Sequence, residues 1–179
     1  PQFNGLQLTN PKSLPGLEQE KLNLVDRITK LDPNGGRFGI GTITGEADIH
    51  PDDWFLTCHF VDDQVMPGTL MFECAQHTLR VYMMRMGWVG ETEDIRCQPK
   101  PGLYSRLKCR GQVRADAKKV QYEIEIKEIG YGEGGAYCIA DALMYVDGRP
   151  IVEIGNMSLE FKGLSKERVE HIWATRIDK

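Results

Sequence analysis

The stretch from Gly68 to Met86 constrains the fold of this 179-residue chain more than any other part of its sequence. Mostly apolar residues recur there at steps of three and four, the spacing of a helix with a broad apolar face. These positions are Leu70, Met71, Ala75, Thr78, Leu79, Tyr82, Met83 and Met86. Gly87 follows as a stop signal, and the charged residues inside the stretch are Glu73, Arg80 and Arg85. We expect a helix that other elements cover on several sides.

Segments typical of β-strands surround this helix in the sequence. LVDRITKL and RFGIGTITGEADI flank the turn signal DPNGG at 32–36 and predict a β-hairpin. Four more predicted strands follow the helix: SRLKCRGQVRA, KKVQYEIEIKEIGY, GAYCIADALMYV and PIVEIGNMSLEFKG, with Asp147-Gly148 as a hairpin turn. Strands longer than about ten residues suit a strongly curved sheet. The pattern predicts an α+β fold in which a curved antiparallel sheet wraps the long central helix.

The pattern divides the chain into three parts. Residues 1–22 carry Pro11, Pro15 and two glycines with weak periodicity, and they are interpreted as an N-terminal arm or linker. Residues 23–163 contain every predicted strand and the long helix, and they are expected to form one domain. Residues 164–179 form a C-terminal tail, in which Ser165 to Arg176 predict a short helix capped by Ser165.

Charge is distributed unevenly along the sequence. The net charge is −4, which disfavours general nucleic-acid binding. Residues 96–119, called the basic segment below, nevertheless carry eight basic residues against Asp116 alone, a local charge of +7. Such a segment predicts either a solvated strand face or a surface that attracts an acidic partner.

Other sequence features exclude several classes of protein. The five cysteines form an odd set without a CxxC pair, which argues against a disulfide framework or a thiolate zinc site and favours a reducing, cytoplasmic location. No apolar run is long enough to span a membrane. The motifs of nucleotide-binding proteins, zinc peptidases and serine hydrolases, namely GxGxxG, Walker, HExxH and GxSxG, are absent from the sequence.

The run CHFVDDQVMPGTLMFECAQ at 58–76 carries the groups needed for acid–base chemistry. His59 precedes the Pro67-Gly68 helix start, and a neutral imidazole in an apolar site is a competent base near neutral pH. Glu73 lies on the apolar helix, where burial is expected to raise its pKa and keep it protonated as an acid. The Gly68 N–H lies at the helix start, where an unpaired amide can stabilise an oxyanion.

A metal site is the alternative use of these side chains. His77 lies four residues after Glu73 on the same helical face, so Glu73, His77 and His59 together offer a possible ligand set. The acid–base interpretation is preferred, and no metal or other cofactor is expected.

The motif CHFxxDxVMPGxLxxE resembles that of the bacterial 3-hydroxyacyl-[acyl-carrier-protein] dehydratases, which have the hot-dog fold. The sequence is most similar to the β-hydroxydecanoyl dehydratase/isomerase branch, through WFLTCHFVDDQVMPG, GQVRADAKKVQYEI and ADALMYVDGRPI, and the likeness runs from about Leu24 to Phe161. SRLKCRGQV also resembles dehydratase domains of polyunsaturated fatty acid and polyketide-type synthases. The resemblance implies fatty acid or polyketide-type synthesis, either as a free-standing enzyme or as a domain of a larger synthase.

The resemblance also implies a role for each site residue. His59 would remove the proton α to the thioester, Glu73 of a paired hot dog would protonate the leaving 3-hydroxyl, and the Gly68 N–H would hold the thioester carbonyl. The implied partners are acyl carrier protein, docked on the basic segment, and a second hot dog in a homodimer or tandem pair.

Two positions depart from the isomerising branch, which has an aspartate where this chain has Glu73 and a cysteine where it has Thr69. Glutamate matches the dehydrating branch, so isomerisation is left open. Two other functions are also left open. One is a hot-dog acyl thioesterase, in which a carboxylate activates water, and the other is a non-catalytic hot dog that binds acyl chains within a synthase.

Overall fold

An antiparallel sheet curled around one long helix forms the centre of the molecule. The computed structural model describes residues 24–59, 62–88 and 96–177, so the predicted arm at 1–22 lies outside the described residues. In chain order the elements are β1 (Arg27–Asp32), β2 (Thr42–Asp48), α1 (Trp54–Cys58), α2 (Gly68–Arg85), β3 (Arg96–Gln98), β4 (Arg106–Cys109), β5 (Lys119–Gly132), β6 (Gly135–Val146), β7 (Arg149–Lys162) and α3 (Lys166–Ile177). No helix among these is long and apolar enough to cross a membrane.

The strands join in the order β1-β2-β5-β6-β7-β3, and β4 also pairs with β7. Every pairing is antiparallel. β3 occupies one end of the outer edge of β7 and β4 occupies the other. The register shifts between Ile126 and Glu128 in β5, and between Ala140 and Ala142 in β6. Such bulges bend strands and increase their twist, which lets these long strands curl around α2.

Alternation along the strands places the core between the sheet and α2. In β5 the residues Val120, Tyr122, Ile124 and Ile126 are buried, whereas Glu123 lies on the opposite, solvated face. The buried residues of α2 are Met71, Cys74, Ala75, Thr78, Leu79, Val81, Tyr82 and Met83. A side chain at Gly45 of β2 would lie 2.7 Å from the Thr78 hydroxyl, so glycine lets the sheet approach the helix closely. The expected α+β hot-dog architecture, a helix wrapped by a curved sheet, is confirmed.

The predicted hairpin turn at Asp147-Gly148 is also confirmed. Both residues have positive φ, 48° and 80°, the combination that a type I′ turn requires. The Asp147 carboxylate accepts hydrogen bonds from the backbone N–H groups of Lys118 and Lys119. The turn between β6 and β7 is thereby tied to the start of β5.

Three parts of the chain differ from the sequence prediction, and one of them is the three-residue strand β3, which was not predicted. The predicted strand SRLKCRGQVRA is regular only over Arg106–Cys109. Beyond it the chain turns towards the segment before α2, where the Val113 carbonyl accepts the Met66 N–H at 3.0 Å. The short helix α1 was not predicted, because five residues are too few to show a helical period.

The C-terminal tail is helical, as predicted, and it packs on the domain. The Ser165 hydroxyl accepts the Arg168 N–H at 3.3 Å, the expected N-terminal cap. Leu164 and Val169 are buried in the core. The Trp173 indole donates to the Gly87 carbonyl at 2.6 Å, which holds α3 at the C-terminal end of α2.

Candidate active site

His59 lies immediately after α1, as its C-terminal cap residue. Its backbone is extended, with φ −106° and ψ 95°, which ends the short helix. The preceding turn is built by Asp53, whose carboxylate accepts the His50 N–H at 2.8 Å and whose carbonyl accepts the Leu56 N–H at 3.0 Å. Phe55 and Leu56 are buried and anchor α1 to the core. The half-buried imidazole therefore projects from an anchored element.

The start of α2 presents open backbone N–H groups. The Pro67 carbonyl accepts the N–H groups of Leu70 and Met71, at 3.0 and 3.1 Å. Among the described residues, the N–H groups of Gly68 and Thr69 donate no backbone hydrogen bond, as expected for the first turn of a helix. The Met66–Val113 bond fixes the direction from which the chain enters α2. Partial positive charge gathers at this end of the helix.

Open space lies beside Gly68. A methyl group built there would have one neighbour among the described side chains, the Cys109 Sγ at 3.7 Å, which is an ordinary van der Waals distance. Packing against the described residues therefore does not require glycine at this position. The expected access of a ligand carbonyl to the Gly68 amide remains a prediction, for which the structure offers the room.

Glu73 is bound by a residue of its own helix. Its Oε1 lies 3.0 Å from His77 Nε2, and the two side chains are 40% and 15% exposed. The hydrogen bond from His77 holds the pKa of Glu73 below its ordinary value, with a further contribution from the charge of Arg80, and this outweighs the opposing effect of burial. The expected net rise of the Glu73 pKa is therefore wrong for the single chain, where the lowered pKa favours the carboxylate form.

The surroundings of this pair come from α2 and β3. Arg80 and Glu73 both act electrostatically on Cys97 of β3, whose thiol pKa is raised mainly by burial. His77 Nδ1 is buried and has no hydrogen-bond partner in the described part of the chain. Glu73 and His77 therefore form a pair whose members depend chiefly on each other. Whether His59 and Glu73 converge across two hot dogs stays a prediction, because the structure holds one chain.

The basic segment is largely neutralised by carboxylates elsewhere in the fold. Five of its eight cations lie within ion-pair distance of an acid: Lys100–Glu160 at 3.8 Å, Arg106–Glu153 at 3.7 Å, Lys108–Glu153 at 3.6 Å, Arg114–Asp63 at 3.6 Å and Lys119–Glu46 at 3.2 Å. Within the described ranges, no ion pair is found for Arg96, Arg110 and Lys118. The local charge of +7 counted from the sequence therefore overestimates the positive charge that a partner would meet at this surface.

The sequence analysis did not identify His77 and Cys109 as neighbours of the proposed acid–base groups. The spacing of His77 and Glu73 did signal their contact, but it was considered only as part of a ligand set. Cys109 gave no signal, because its approach to Gly68 depends on the pairing of β4 with β7. No group of three metal-ligating side chains gathers anywhere in the described ranges.

A groove of about 940 Å³ lies on the other face of the sheet. Its polar lining includes Glu123, Glu125, Lys127 and Asp141, which alternate with the buried residues that face α2. The groove is thus separated from the candidate site by the sheet itself.

Comparisons with known proteins match this architecture. The family model of the FabA-like domain matches residues 17–155. A polyunsaturated fatty acid synthase subunit from Thraustochytrium sp. (strain ATCC 26185 / S-3) is 37% identical over 139 residues, which are 77% of this chain. The aligned region is 9% of that relative, so this chain spans about a tenth of its length.

Two solved structures share the fold at low sequence identity. The dehydratase heterocomplex ApeI:P from Xenorhabdus doucetiae has a TM-score of 0.59 at 11% identity, covering 90% of this chain and 93% of that one. A hypothetical thioesterase with coenzyme A from Streptococcus pneumoniae TIGR4 has a TM-score of 0.51 at 11% identity, covering 78% and 88%. At this identity the likeness extends to the fold alone.

Proposed function

The chain belongs to the FabA-like domain family, and from this premise we propose that it is a 3-hydroxyacyl-[acyl-carrier-protein] dehydratase. It would convert 3-hydroxyacyl thioesters on acyl carrier protein to trans-2-enoyl thioesters, in fatty acid or polyketide-type synthesis. The observation that carries the proposal is the start of α2, where the Gly68 N–H donates no backbone hydrogen bond among the described residues and open space lies beside the Gly68 Cα. Helix α2 supplies both this amide and the carboxyl group of Glu73, and His59 lies on the segment that leads to α2.

Each group has one step in the proposed reaction. The thioester carbonyl accepts the Gly68 N–H, and one such donor can lower a barrier by roughly 2.7 to 4 kcal/mol. His59 removes the proton from C2, which places negative charge on that carbonyl oxygen. The bond between C3 and its hydroxyl oxygen then breaks as a proton reaches the oxygen from Glu73. Water leaves and the double bond remains between C2 and C3.

The proposed site is completed by a second hot dog, in a homodimer or a tandem pair. Among the described residues β4 pairs with β7 alone, so its other edge is open to a strand of a second copy. Leu107 on that strand is 41% exposed and the neighbouring Tyr104 is 89% exposed. Open strand edges are ready templates for pairing with another chain. In the proposed pair, Glu73 of one copy meets His59 of the other.

Replacing the proposed base tests the assignment. We expect His59→Ala to abolish enoyl formation from a 3-hydroxyacyl carrier substrate, followed by the absorbance of the enoyl thioester. Circular dichroism should show an unchanged fold, and His50→Ala, at an exposed histidine, should keep full activity. Turnover of His59→Ala near the wild-type rate would overturn the assignment of the base.

Thioester hydrolysis is the second candidate function. It is favoured by the carboxylate state of Glu73, because an ionised carboxyl group activates water and does not donate a proton. Release of free thiol from an acyl thioester distinguishes this reaction from dehydration. A non-catalytic acyl-binding unit would release no thiol and form no enoyl product at any enzyme concentration.

A further inference from the structure

Asp63 and Arg114 belong to two sequence stretches that meet in the fold, and the proposed reaction gives neither residue a role. Asp63 is the aspartate of the motif CHFxxDxVMPGxLxxE, and Arg114 lies in GQVRADAKKVQYEI. Arg114 Nη2 lies 3.6 Å from Asp63 Oδ1. The contact joins the chain that leads into α2 to the chain that leaves β4.

The backbones of the two stretches are paired at the same place. Val65 and Arg114 form an antiparallel bridge, beside the hydrogen bond from the Met66 N–H to the Val113 carbonyl. Val65, Met66 and Val113 are buried. The Arg114 carbonyl also accepts the Ala117 N–H at 3.0 Å. The backbone of Arg114 is therefore held on both sides, and its side chain extends from a fixed point.

Gln112 orients the guanidinium group of Arg114. Its Oε1 accepts hydrogen bonds from Arg114 Nε at 3.0 Å and from Arg114 Nη2 at 2.6 Å. Because a guanidinium is planar and its N–H groups have fixed directions, these two bonds set its plane and leave one N–H of Nη2 for Asp63. Arg114, Gln112 and Asp63 are called the Arg114 clamp below.

The Arg114 clamp contributes to geometry more than to stability. The side chains of Arg114 and Asp63 are 57% and 44% exposed, and an exposed ion pair adds little to the free energy of unfolding. The clamp instead restrains the chain that enters α2, because it adds a side-chain contact at Asp63 to the backbone contacts at Val65 and Met66.

The start of α2 lies against the chain after β4 at two points. Ahead of the helix, Met66 is bonded to Val113. At its first residue, a methyl group built at Gly68 would lie 3.7 Å from the Cys109 Sγ. The stretch that carries the Arg114 clamp therefore flanks the proposed oxyanion amide.

We propose, on the basis of the dehydratase function above, that Arg114 is a positioning residue for the reaction. Asp63 lies on the chain that connects the proposed base, His59, to the proposed oxyanion donor, Gly68. By holding Asp63, Arg114 sets how the imidazole and the amide are placed relative to each other. A displacement of about 1 Å can lower a rate by about a hundredfold. Arg114 acts through these two groups and touches no reacting atom.

A double-mutant cycle tests this role. We expect Arg114→Gln and Asp63→Asn each to lower kcat roughly tenfold with little change in KM, because the reacting groups are retained but misplaced. The double variant should lose no more than either single variant, since residues that act as one unit give non-additive losses. Lys166→Gln is the matched control, because it removes an exposed ion pair to Glu170 at 3.9 Å on α3. It should keep the wild-type kcat.

Three kinetic outcomes would overturn the proposal. Wild-type kcat in Arg114→Gln would exclude positioning. A raised KM with unchanged kcat would show that Arg114 binds the substrate or its carrier instead. Losses that multiply in the double variant would show that Arg114 and Asp63 act separately.

Hydrogen exchange remains informative if no variant forms an enoyl product. The Met66 N–H should exchange faster in Arg114→Gln and in Asp63→Asn, by up to about fivefold, which is the most that an exposed pair contributes. Its exchange should be unchanged in Lys166→Gln. Wild-type exchange at Met66 in both clamp variants would overturn the clamp, whatever the reaction is. An inactive wild type with faster exchange in these variants would overturn only the dehydratase proposal.

Discussion

At the scale of single residues, the proposed function of Gly68 can be tested separately from its packing. We expect Gly68→Ala to fold with unchanged or slightly higher stability, up to about 1 kcal/mol, because alanine favours a helix and its methyl group has room. If the proposed reaction is correct, enoyl formation should fall strongly, because the methyl group would obstruct the approach of the thioester carbonyl to the Gly68 amide. Urea unfolding and initial rates measure the two effects. A fully active variant would contradict the oxyanion role of Gly68.

Gly41 offers the matched control, because glycine is there for a structural reason. Its φ is 130°, and an added methyl group would overlap the ring of Tyr82. The Tyr82 hydroxyl donates to the Ile40 carbonyl at 2.6 Å, which ties α2 to the chain entering β2. We expect Gly41→Ala to lower the free energy of unfolding by about 1 to 3 kcal/mol, in the range of backbone strain. Unchanged urea unfolding would contradict this geometry.

At the candidate site, the sequence indicates which residues to consider but does not indicate their protonation states. Gly68 stands out in sequence because a Pro-Gly pair opens an apolar helix. The lowered pKa of Glu73 was not predicted, because the apolar pattern of α2 indicates burial for the helix as a whole. Exposure of one side chain depends on which elements cover that face of the helix, and this is a property of the assembled sheet.

At the scale of elements, the cap of α3 can be tested alone. We expect Ser165→Ala to lower the free energy of unfolding by about 1 kcal/mol, since the Arg168 N–H loses its acceptor. Thr175→Ala removes a hydroxyl of the same helix that bonds to the Ile172 carbonyl and not to an open N–H group. We expect Thr175→Ala to lower the free energy of unfolding by less than Ser165→Ala does. Equal urea midpoints for wild type and Ser165→Ala would contradict the cap.

Long periodic segments were predictable, and short ones were not. α2, β5, β6 and β7 each extend over at least a dozen residues, so the helical or alternating pattern repeats several times. The strand containing β4 was predicted too long, because its end is set where the chain leaves β7 to bond Val113 to Met66. That partner lies far away in sequence and leaves no local signal.

At the scale of the whole molecule, stability should fall in acid. The pKa of Asp48 is lowered by Arg27, that of Glu125 by Arg37 and that of Glu73 by His77. Groups with a lowered folded-state pKa stabilise the fold above their ordinary pKa, about 4, and lose this effect as the pH falls through the folded-state value. We expect urea unfolding to show constant stability above about pH 5 and a decline below it.

A pair of arginine variants tests the origin of that decline. Arg37→Gln removes the partner of Glu125 and should make the decline shallower. Arg110→Gln changes the net charge equally, at a residue with no ion pair among those described, and should leave the profile unchanged. Identical profiles for Arg37→Gln and wild type would contradict the assignment.

A site shared between two copies predicts complementation. His59→Ala and Glu73→Gln should each be inactive alone, whereas a mixed pair contains one site with both native groups and should regain activity. Light scattering first checks that the chain pairs with itself, and two affinity tags isolate the mixed pair. An inactive mixed pair would contradict the contribution of Glu73 across copies.

The partial charge matching of the basic segment has a consequence for how a carrier would reach the proposed site. A strongly cationic face would speed the encounter with an acidic carrier, whereas a partly matched face gives less electrostatic steering. A tether can supply the frequency of encounters instead, because a short flexible linker keeps two modules at roughly millimolar effective concentration. We therefore expect this chain to turn over rapidly with a carrier joined to the same polypeptide and slowly with one added in solution.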